Sequence, residues 1–311
     1  MLRVALVVMT LACVAASARP ADSATPVANS AAPATNAPVV QPDKIPVEVI
    51  PDVVYGKGGD EDLKLDMVRP KDAGTKPRPA IVFMHGGGWT SGDKKSGLWY
   101  LTGMAQRGYV GVTINYRLLA PKYKFPAQIE DCKCAVRFLR AKAKEYNIDP
   151  NHIAAWGGSA GGHLAALLGT TGEVKEFEGT GGWAEYSSKV QAVIDYCGVT
   201  DLYSWRGQNK VGGTVKRLVG GDSEEFKNAM DKASPITYIS KTTAPFLVVH
   251  GDQDEDVSIK QSQAFVEALK AAGVPVQFMT IKNGKHGGGK EWDANYNQEK
   301  TVGEFLGKYL R

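Results

Sequence analysis

Apolar residues along this chain alternate between two spacings. Short runs rich in β-branched and aromatic residues recur at Val47–Val54, Leu63–Val68, Ala80–His85, Tyr109–Asn115, His152–Trp156, Val190–Tyr196, Phe246–His250 and Val276–Ile281, and they predict strands. Helical spacing appears between them at Leu98–Arg107, Ala127–Tyr146, Ala160–Leu168, Ile259–Ala272 and Gln298–Leu310. Ile81-Val82-Phe83-Met84 and Phe246-Leu247-Val248-Val249 are apolar on both faces, as strands covered by helices on each side must be. The alternation predicts an α/β fold, a doubly wound and mostly parallel sheet with helices on both faces. The first two strands, joined by the turn Gly56–Asp60, are expected to form an antiparallel hairpin at one edge.

Two stretches keep no clear period. Thr170–Ser188 and Leu202–Asp231 are rich in Gly, Trp, Tyr and charge. Ligands of α/β sheets bind outside the carboxyl ends of the strands, so long excursions there would supply a pocket wall or partial lid. A plain surface loop is the alternative for each.

The first 45 residues break the pattern. Arg3, the apolar run Val4–Val14 and the small residues Ala16-Ser17-Ala18 read as a signal peptide over residues 1–18. The run is too short to cross ~30 Å of hydrocarbon, which needs about 20 helical residues. Thr10-Leu11-Ala12-Cys13 holds a cysteine that a lipid anchor could use, but no branched apolar residue stands three positions before it. The reading therefore favours a secreted or periplasmic chain over one anchored at Cys13. Residues 19–45, rich in Ala, Pro, Ser and Thr, cannot bury enough apolar surface to fold alone and read as a disordered linker. Residues 46–311 remain, enough for one catalytic domain.

Composition narrows the field of function. The 311 residues are 43% hydrophobic and 23% charged, with net charge +4. No dense Lys/Arg run accompanies that charge, so a nucleic-acid partner is not expected. Of four cysteines, Cys132, Cys134 and Cys197 would survive signal cleavage, an odd number that leaves a free thiol. No CxxC or Cys/His pair has metal-ligand spacing, and catalysis is expected to need neither the cysteines nor a metal or cofactor.

Two motifs carry chemistry. Gly157-Gly158-Ser159-Ala160-Gly161 lies between a predicted strand and a predicted helix. A serine on such a turn has its hydroxyl pushed clear of the backbone, and flanking glycines are needed because side chains would clash. The helix N-terminus adds partial positive charge beside any developing anion. His85-Gly86-Gly87-Gly88-Trp89 ends another strand, where glycines let backbone N–H groups converge on a carbonyl oxygen turning into an oxyanion. A phosphate-cradling loop would need GxGxxG or GxxxxGK, and neither is present.

A serine so placed needs a base and an orienting acid from later in the chain. Of the five histidines, His85 belongs to the glycine loop, His152 to a surface turn, His163 to the helix behind Ser159, and His250 to a strand end. His286, in Asn283-Gly284-Lys285-His286-Gly287-Gly288-Gly289, is free to reach the serine and is the predicted base. The acid should follow the strand Phe246–His250, where Asp252, Asp254 and Asp256 all stand as candidates.

These pieces together resemble the secreted carboxylesterase and feruloyl-esterase-like branch of the α/β-hydrolases, related to the hormone-sensitive-lipase-like esterases. The resemblance spans most of residues 50–290. It rests on His85–Trp89, Ser91-Gly92-Asp93-Lys94, Tyr116-Arg117-Leu118, Phe125-Pro126-Ala127, Trp156–His163, Ser234-Pro235-Ile236 and His250–Val257. It implies Asp254 as the acid, through the pattern His-Gly-x-x-Asp-x-x-Val, and the backbone N–H groups of Gly87, Gly88 and Ala160 as the oxyanion hole. Gly288 and Gly289 depart from the family, which often has a bulky residue soon after its His-Gly. The expected function is hydrolysis of short-chain acyl or hydroxycinnamoyl esters, with plant carbohydrate esters among the candidate substrates. Trp89, Trp183, Tyr203 and Trp205 are candidate pocket aromatics. The competing readings are an amide hydrolase of the same fold (exopeptidase or arylformamidase) and a non-catalytic binding member.

Overall fold

A computed structural model describes residues 45–311 except 73, 207–211 and 222. The signal peptide 1–18, Cys13 and all but the last residue of the linker 19–45 lie outside the described residues. The eight expected strands all form: β1 Val47–Gly58, β2 Glu61–Pro70, β3 Arg78–Met84, β4 Val110–Ile114, β5 Ile148–Gly158, β6 Ala192–Tyr196, β7 Phe246–Gly251 and β8 Val276–Ile281. They make one sheet in the order β1-β2-β4-β3-β5-β6-β7-β8. β1 pairs antiparallel with β2 and β2 with β4, while every other pairing is parallel.

The period-2 alternation of the central strands divides the core. Ala80, Val82 and Met84 of β3 and Phe246 and Val248 of β7 face one apolar cluster. Ile81, Phe83, Leu247 and Val249 face the other. The first cluster is closed by α2 (Ala127–Ala141), α4 (Ala160–Thr170) and α8 (Lys260–Ala271), the second by α1 (Leu98–Ala105) and α10 (Gln298–Tyr309). Burial on both faces explains the unbroken apolar runs of β3 and β7.

Three boundaries differ from the sequence expectation. The helix expected over Ala127–Tyr146 is two, α2 and α3 (Ala143–Tyr146), separated at Lys142; Asn147, at φ 54°, then turns the chain into β5. β5 begins at Ile148 rather than His152, because the Asp149-Pro150 stretch that reads as a turn is drawn into the ladder by pairing of Ile148 with Arg78. A short helix, α9 (Lys290–Asn295), follows the Gly287–Gly289 run and was not expected. Six residues are too few for a helical period to register in sequence.

The two unpatterned stretches part company. The first contains no regular element longer than one turn after the end of α4, and among its contacts several run to α2 and β1. Glu178 accepts from Lys133 and Arg137 of α2, and Lys57 donates its backbone N–H to Gly181. The second forms α5 (Leu202–Trp205), α6 (Gly212–Val219) and α7 (Lys227–Lys232). Thr214 of α6 lies against Gly88, which brings this stretch to the glycine loop, whereas Gly181, Gly182 and Trp183 of the first stretch line a cavity with β1.

Candidate active site

Strand β5 delivers Ser159 to the carboxyl edge of the sheet. The serine sits at φ 57° and ψ −120°, a region costly for any side chain, held because Ser159 N–H donates to Tyr196 O at 2.8 Å. The glycines of the turn are required by close approach. A Cβ on Gly157 would fall 2.2 Å from Gly161 O, and one on Gly161 would fall 2.0 Å from Met84 O. The half-buried hydroxyl thus stands at the N-terminus of α4, where Ala160 N–H has no partner within the helix.

The three side chains expected to act together meet here. His286 Nε2 lies 2.7 Å from Ser159 Oγ, and His286 Nδ1 lies 2.7 Å from Asp254 Oδ2. An ionised carboxylate only accepts, so Nδ1 carries the proton and Nε2 is left to accept from the serine hydroxyl. The Asp254 side chain is buried yet well supplied with donors. Its Oδ1 accepts the backbone N–H groups of Asp256 and Val257, both at 2.9 Å. Burial alone would raise its pKa, but bonds from His250 and His286 hold the carboxyl well below the ordinary carboxylate range. Burial likewise opposes a charged His286, and the Asp254 carboxylate overcomes it, raising the histidine's pKa.

Opposite the serine, the glycine loop is fixed by its neighbours. His85 stacks on Tyr116 with centroids 4.3 Å apart, and Tyr116 donates its hydroxyl to His85 O at 2.9 Å. Gly87 and Gly88 adopt φ 107° and 58°, the left-handed region that glycine tolerates. Gly87 O accepts from the N–H groups of Thr90 and Ser91, which ties the carbonyl into its own turn. Gly86 packs on the serine turn, so that a Cβ there would lie 3.5 Å from Ser159 Cβ. Gly86 thus sets the loop that carries Gly87 and Gly88 beside the turn of Ser159 and Ala160.

Other candidates find different places. His163 is fully buried; Trp89 Nε1 donates to its Nδ1 at 3.2 Å, and its Nε2 donates to Ala233 O at 2.7 Å. Burial lowers its pKa to about 4, so it stays neutral and structural. His152 pairs with Asp149 at the surface. Trp89 and Trp205 are buried and packed edge to face at 6.2 Å, with Trp205 Nε1 donating to Asp256 O. Trp183 packs on Phe138 and donates to Tyr55 O on the β1–α2 side, where, half-buried, it lines a surface cavity with Val54, Tyr55 and Gly181. Tyr203 bonds Glu224 through its hydroxyl, under the guanidinium of Arg206.

Comparison with known proteins bears on this geometry. The model of the BD-FAE family matches residues 65–269, a stretch that includes Ser159 and Asp254. The chain belongs to the BD-FAE family. The BD-FAE chain is 33% identical over 248 residues to Esterase LipC of Mycobacterium tuberculosis, covering 76% of this chain and 59% of the relative. It is 33% identical to Esterase LipQ of the same organism, covering 76% and 56%. It thus spans little more than half the length of these curated relatives. Among solved structures, a truncated carbohydrate esterase from gut microbiota superposes with TM-score 0.76 at 28% identity, covering 86% of this chain and 97% of that one. A thermophilic esterase of Thermogutta terrifontis, solved with propionate bound, gives TM-score 0.70 at 30% identity, covering 86% and 96%. The α/β-hydrolase fold is shared with these esterases.

Two neighbours of this bond chain escaped the sequence reading, His250 as a partner of the acid and Cys197 as a bystander beside it. His250, assigned only to a strand end, stands directly behind the acid. Its Nε2 faces Asp254 Oδ2 at 3.1 Å and Val257 O at 2.8 Å, so this nitrogen donates, while Nδ1 accepts from Ser262 Oγ at 2.7 Å. Its place four residues before Asp254, at the end of β7, was the available signal. Cys197, at φ 44° just after β6, is buried beside His286. Its sulfur, a His286 ring nitrogen and an Asp254 oxygen all lie within 4.8 Å of one another. No sequence spacing announces a group drawn from three strand ends.

Proposed function

We propose that this chain is a serine carboxylesterase acting through Ser159, His286 and Asp254. The observation that carries the reading is the continuous bond chain, 2.7 Å from serine to histidine and 2.7 Å from histidine to aspartate. In the proposed mechanism Ser159 Oγ attacks the ester carbonyl as its proton passes to His286 Nε2. The imidazolium is stabilised by Asp254, which stays ionised. The N–H groups of Gly87, Gly88 and Ala160 hold the oxyanion, and losing one such donor typically costs on the order of 100-fold in rate. His286 then protonates the departing alcohol, and a water deprotonated by the same nitrogen releases the acid.

Short acyl esters, carbohydrate acetates among them, are the proposed substrates. Supporting them are the structural neighbours described as a carbohydrate esterase and as an esterase with propionate bound. Room at Gly288, where a Cβ would meet nothing within 4 Å, supports extension to bulkier hydroxycinnamoyl groups. Export, with removal of residues 1–18, belongs to the same proposal and is supported by the segment's composition.

The test is a matched panel of acetyl, butyryl and feruloyl esters beside the corresponding amides. Ester turnover should dominate, and Ser159→Ala should abolish it in a folded protein. Amide turnover exceeding ester turnover, or a phosphonate adduct on another serine, would overturn the reading.

A further inference from the structure

Cys197 has no part in the proposed hydrolysis, yet its sulfur shares a small volume with two members of the bond chain. Three strand ends converge there: Cys197 follows β6, Asp254 follows β7 and His286 follows β8. Cys197 is pinned by its N–H donating to Val249 O at 2.9 Å, and its sulfur would lie 3.5 Å from a Cβ on Gly287. With donor atoms within 4.8 Å of one another, the group offers one sulfur, one imidazole nitrogen and one carboxylate oxygen.

We propose that Cys197, Asp254 and His286 form an inhibitory site for a thiophilic divalent cation such as Zn2+. Zinc takes sulfur at about 2.3 Å and nitrogen or oxygen at about 2.0–2.2 Å, in tetrahedral arrangement. Those bonds place neighbouring ligand atoms roughly 3.3–3.6 Å apart. The present spacing needs only local adjustment, including a parting of Asp254 and His286 from their 2.7 Å contact. A thiolate and a carboxylate neutralise the cation; the thiol proton leaves to solvent, and where Nδ1 of His286 is the ligand its proton moves to Nε2. Outside the ligands, Asp254 is already braced by His250, the kind of second partner that metal-binding carboxylates keep. His286, with its side chain 24% exposed, is the point of entry. Whichever ring nitrogen binds zinc, the link from Asp254 through His286 to Ser159 is broken and hydrolysis stops. Mg2+, which prefers oxygen ligands and keeps its waters, is not accommodated.

The activity readout rests on the esterase reading above; the binding readout does not. Butyryl-ester hydrolysis by the full chain is measured against rising Zn2+ in chelator-free buffer. Zinc should inhibit, EDTA should restore the rate, and equal Mg2+ should have no effect. Cys197→Ala should hydrolyse within about threefold of wild type without zinc, yet need at least about tenfold more zinc for half-inhibition. Independently, Co2+ added to the wild type should give a thiolate-to-cobalt absorption band in the near ultraviolet. Cys197→Ser, which keeps the volume of the side chain, should lack the band. Equal zinc sensitivity in wild type and Cys197→Ala, or no thiolate band in wild type, overturns the proposal. A wild type that binds cobalt through thiolate but hydrolyses no ester leaves the metal site standing and removes the esterase reading instead.

Discussion

Two carboxylates in this protein are each gripped by several donors, and they serve different ends. Glu178 accepts from Lys133 at 2.9 Å, Arg137 at 2.5 Å and Ser188 at 2.6 Å, fastening the stretch after α4 onto α2. Asp254 accepts from His286, His250 and two backbone N–H groups at the carboxyl edge of the sheet. Burial opposes charge on both, and their donors hold both pKa values below the ordinary range. What separates them is the partner. The cations on Glu178 meet no group that could carry a proton onward to a substrate and only hold. The ring on Asp254 titrates, and its far nitrogen meets a serine hydroxyl. A gripped carboxylate becomes catalytic when one of its donors can pass a proton onward.

The sharpest break in this comparison is to remove charge from each carboxylate in turn. Asp254→Asn should lower kcat by ~10⁴, because an amide presents an N–H where Nδ1–H must be accepted and favours the wrong tautomer. Its melting temperature should change little beside that loss. Glu178→Gln should leave kcat within a few-fold and instead lower stability by about 3–5 kcal/mol, since Lys133 and Arg137 are almost wholly buried and would lose their counter-charge. Steady-state kinetics with thermal denaturation of both variants reads the contrast. A Glu178→Gln variant that keeps its melting temperature and loses activity would overturn it.

Next in size is the effect of His250. Replacing it with Gln leaves Asp254 without one donor while keeping polar volume near Ser262. A second-rank partner of this kind is worth about 10–100-fold where it orients a functional ligand. The loss should fall on kcat with KM nearly unchanged, and unchanged kcat would show that the two backbone N–H groups suffice.

The comparison also sharpens with pH. His286 must be neutral to accept the serine proton, and Asp254 raises its pKa, so the acid limb of kcat/KM should lie above the ordinary value of 6.5. Stability runs the other way for Glu178. With a depressed folded pKa, its contribution is complete above the ordinary 4.5 and is lost as pH falls below that value. Glu178→Gln should therefore flatten the acid side of a stability profile while leaving the activity limb where it was.

How much of this was legible in sequence follows the same division. Ser159, His286 and the glycine loop could be read because each stands at a strand end in a local pattern, and backbone sterics enforce the glycines between them; Asp254 was singled out among three acids only by the family resemblance. The strands could be read because both faces of β3 and β7 are buried. Cys197 could not, since its place comes from contacts made across strand ends, and His250 could not because a histidine ending an apolar strand shows its role only once the loop after it folds back. Glu178 was equally hidden: its partners Lys133 and Arg137 lie 45 and 41 residues away in sequence. That Thr170–Ser188 is fastened onto α2 was hidden for the same reason, because the buried cations that hold Glu178 lie far off in sequence.

The smallest expected effect separates Asp254 from its own neighbours. Asp252 and Asp256 share its turn and its chemistry, so sequence alone left all three open as the acid. Geometry divides them. Asp256 is exposed; its backbone N–H donates to Asp254 and its carbonyl accepts from Trp205. Asp252 is half-buried, its N–H donates to Ile281 O, and its Oδ1 finds no hydrogen-bond partner among the described residues. Neither side chain appears in the bond chain to Ser159. Asp252→Asn and Asp256→Asn should each keep kcat within about threefold and shift stability by no more than about 1 kcal/mol. Asp252→Asn can even gain slightly, since an amide is less costly to leave half-buried than an unpartnered carboxylate oxygen. Should Asp252→Asn collapse activity while Asp254→Asn spares it, the acid would belong two residues earlier, and the buried position of Asp254 would be structural like that of Glu178.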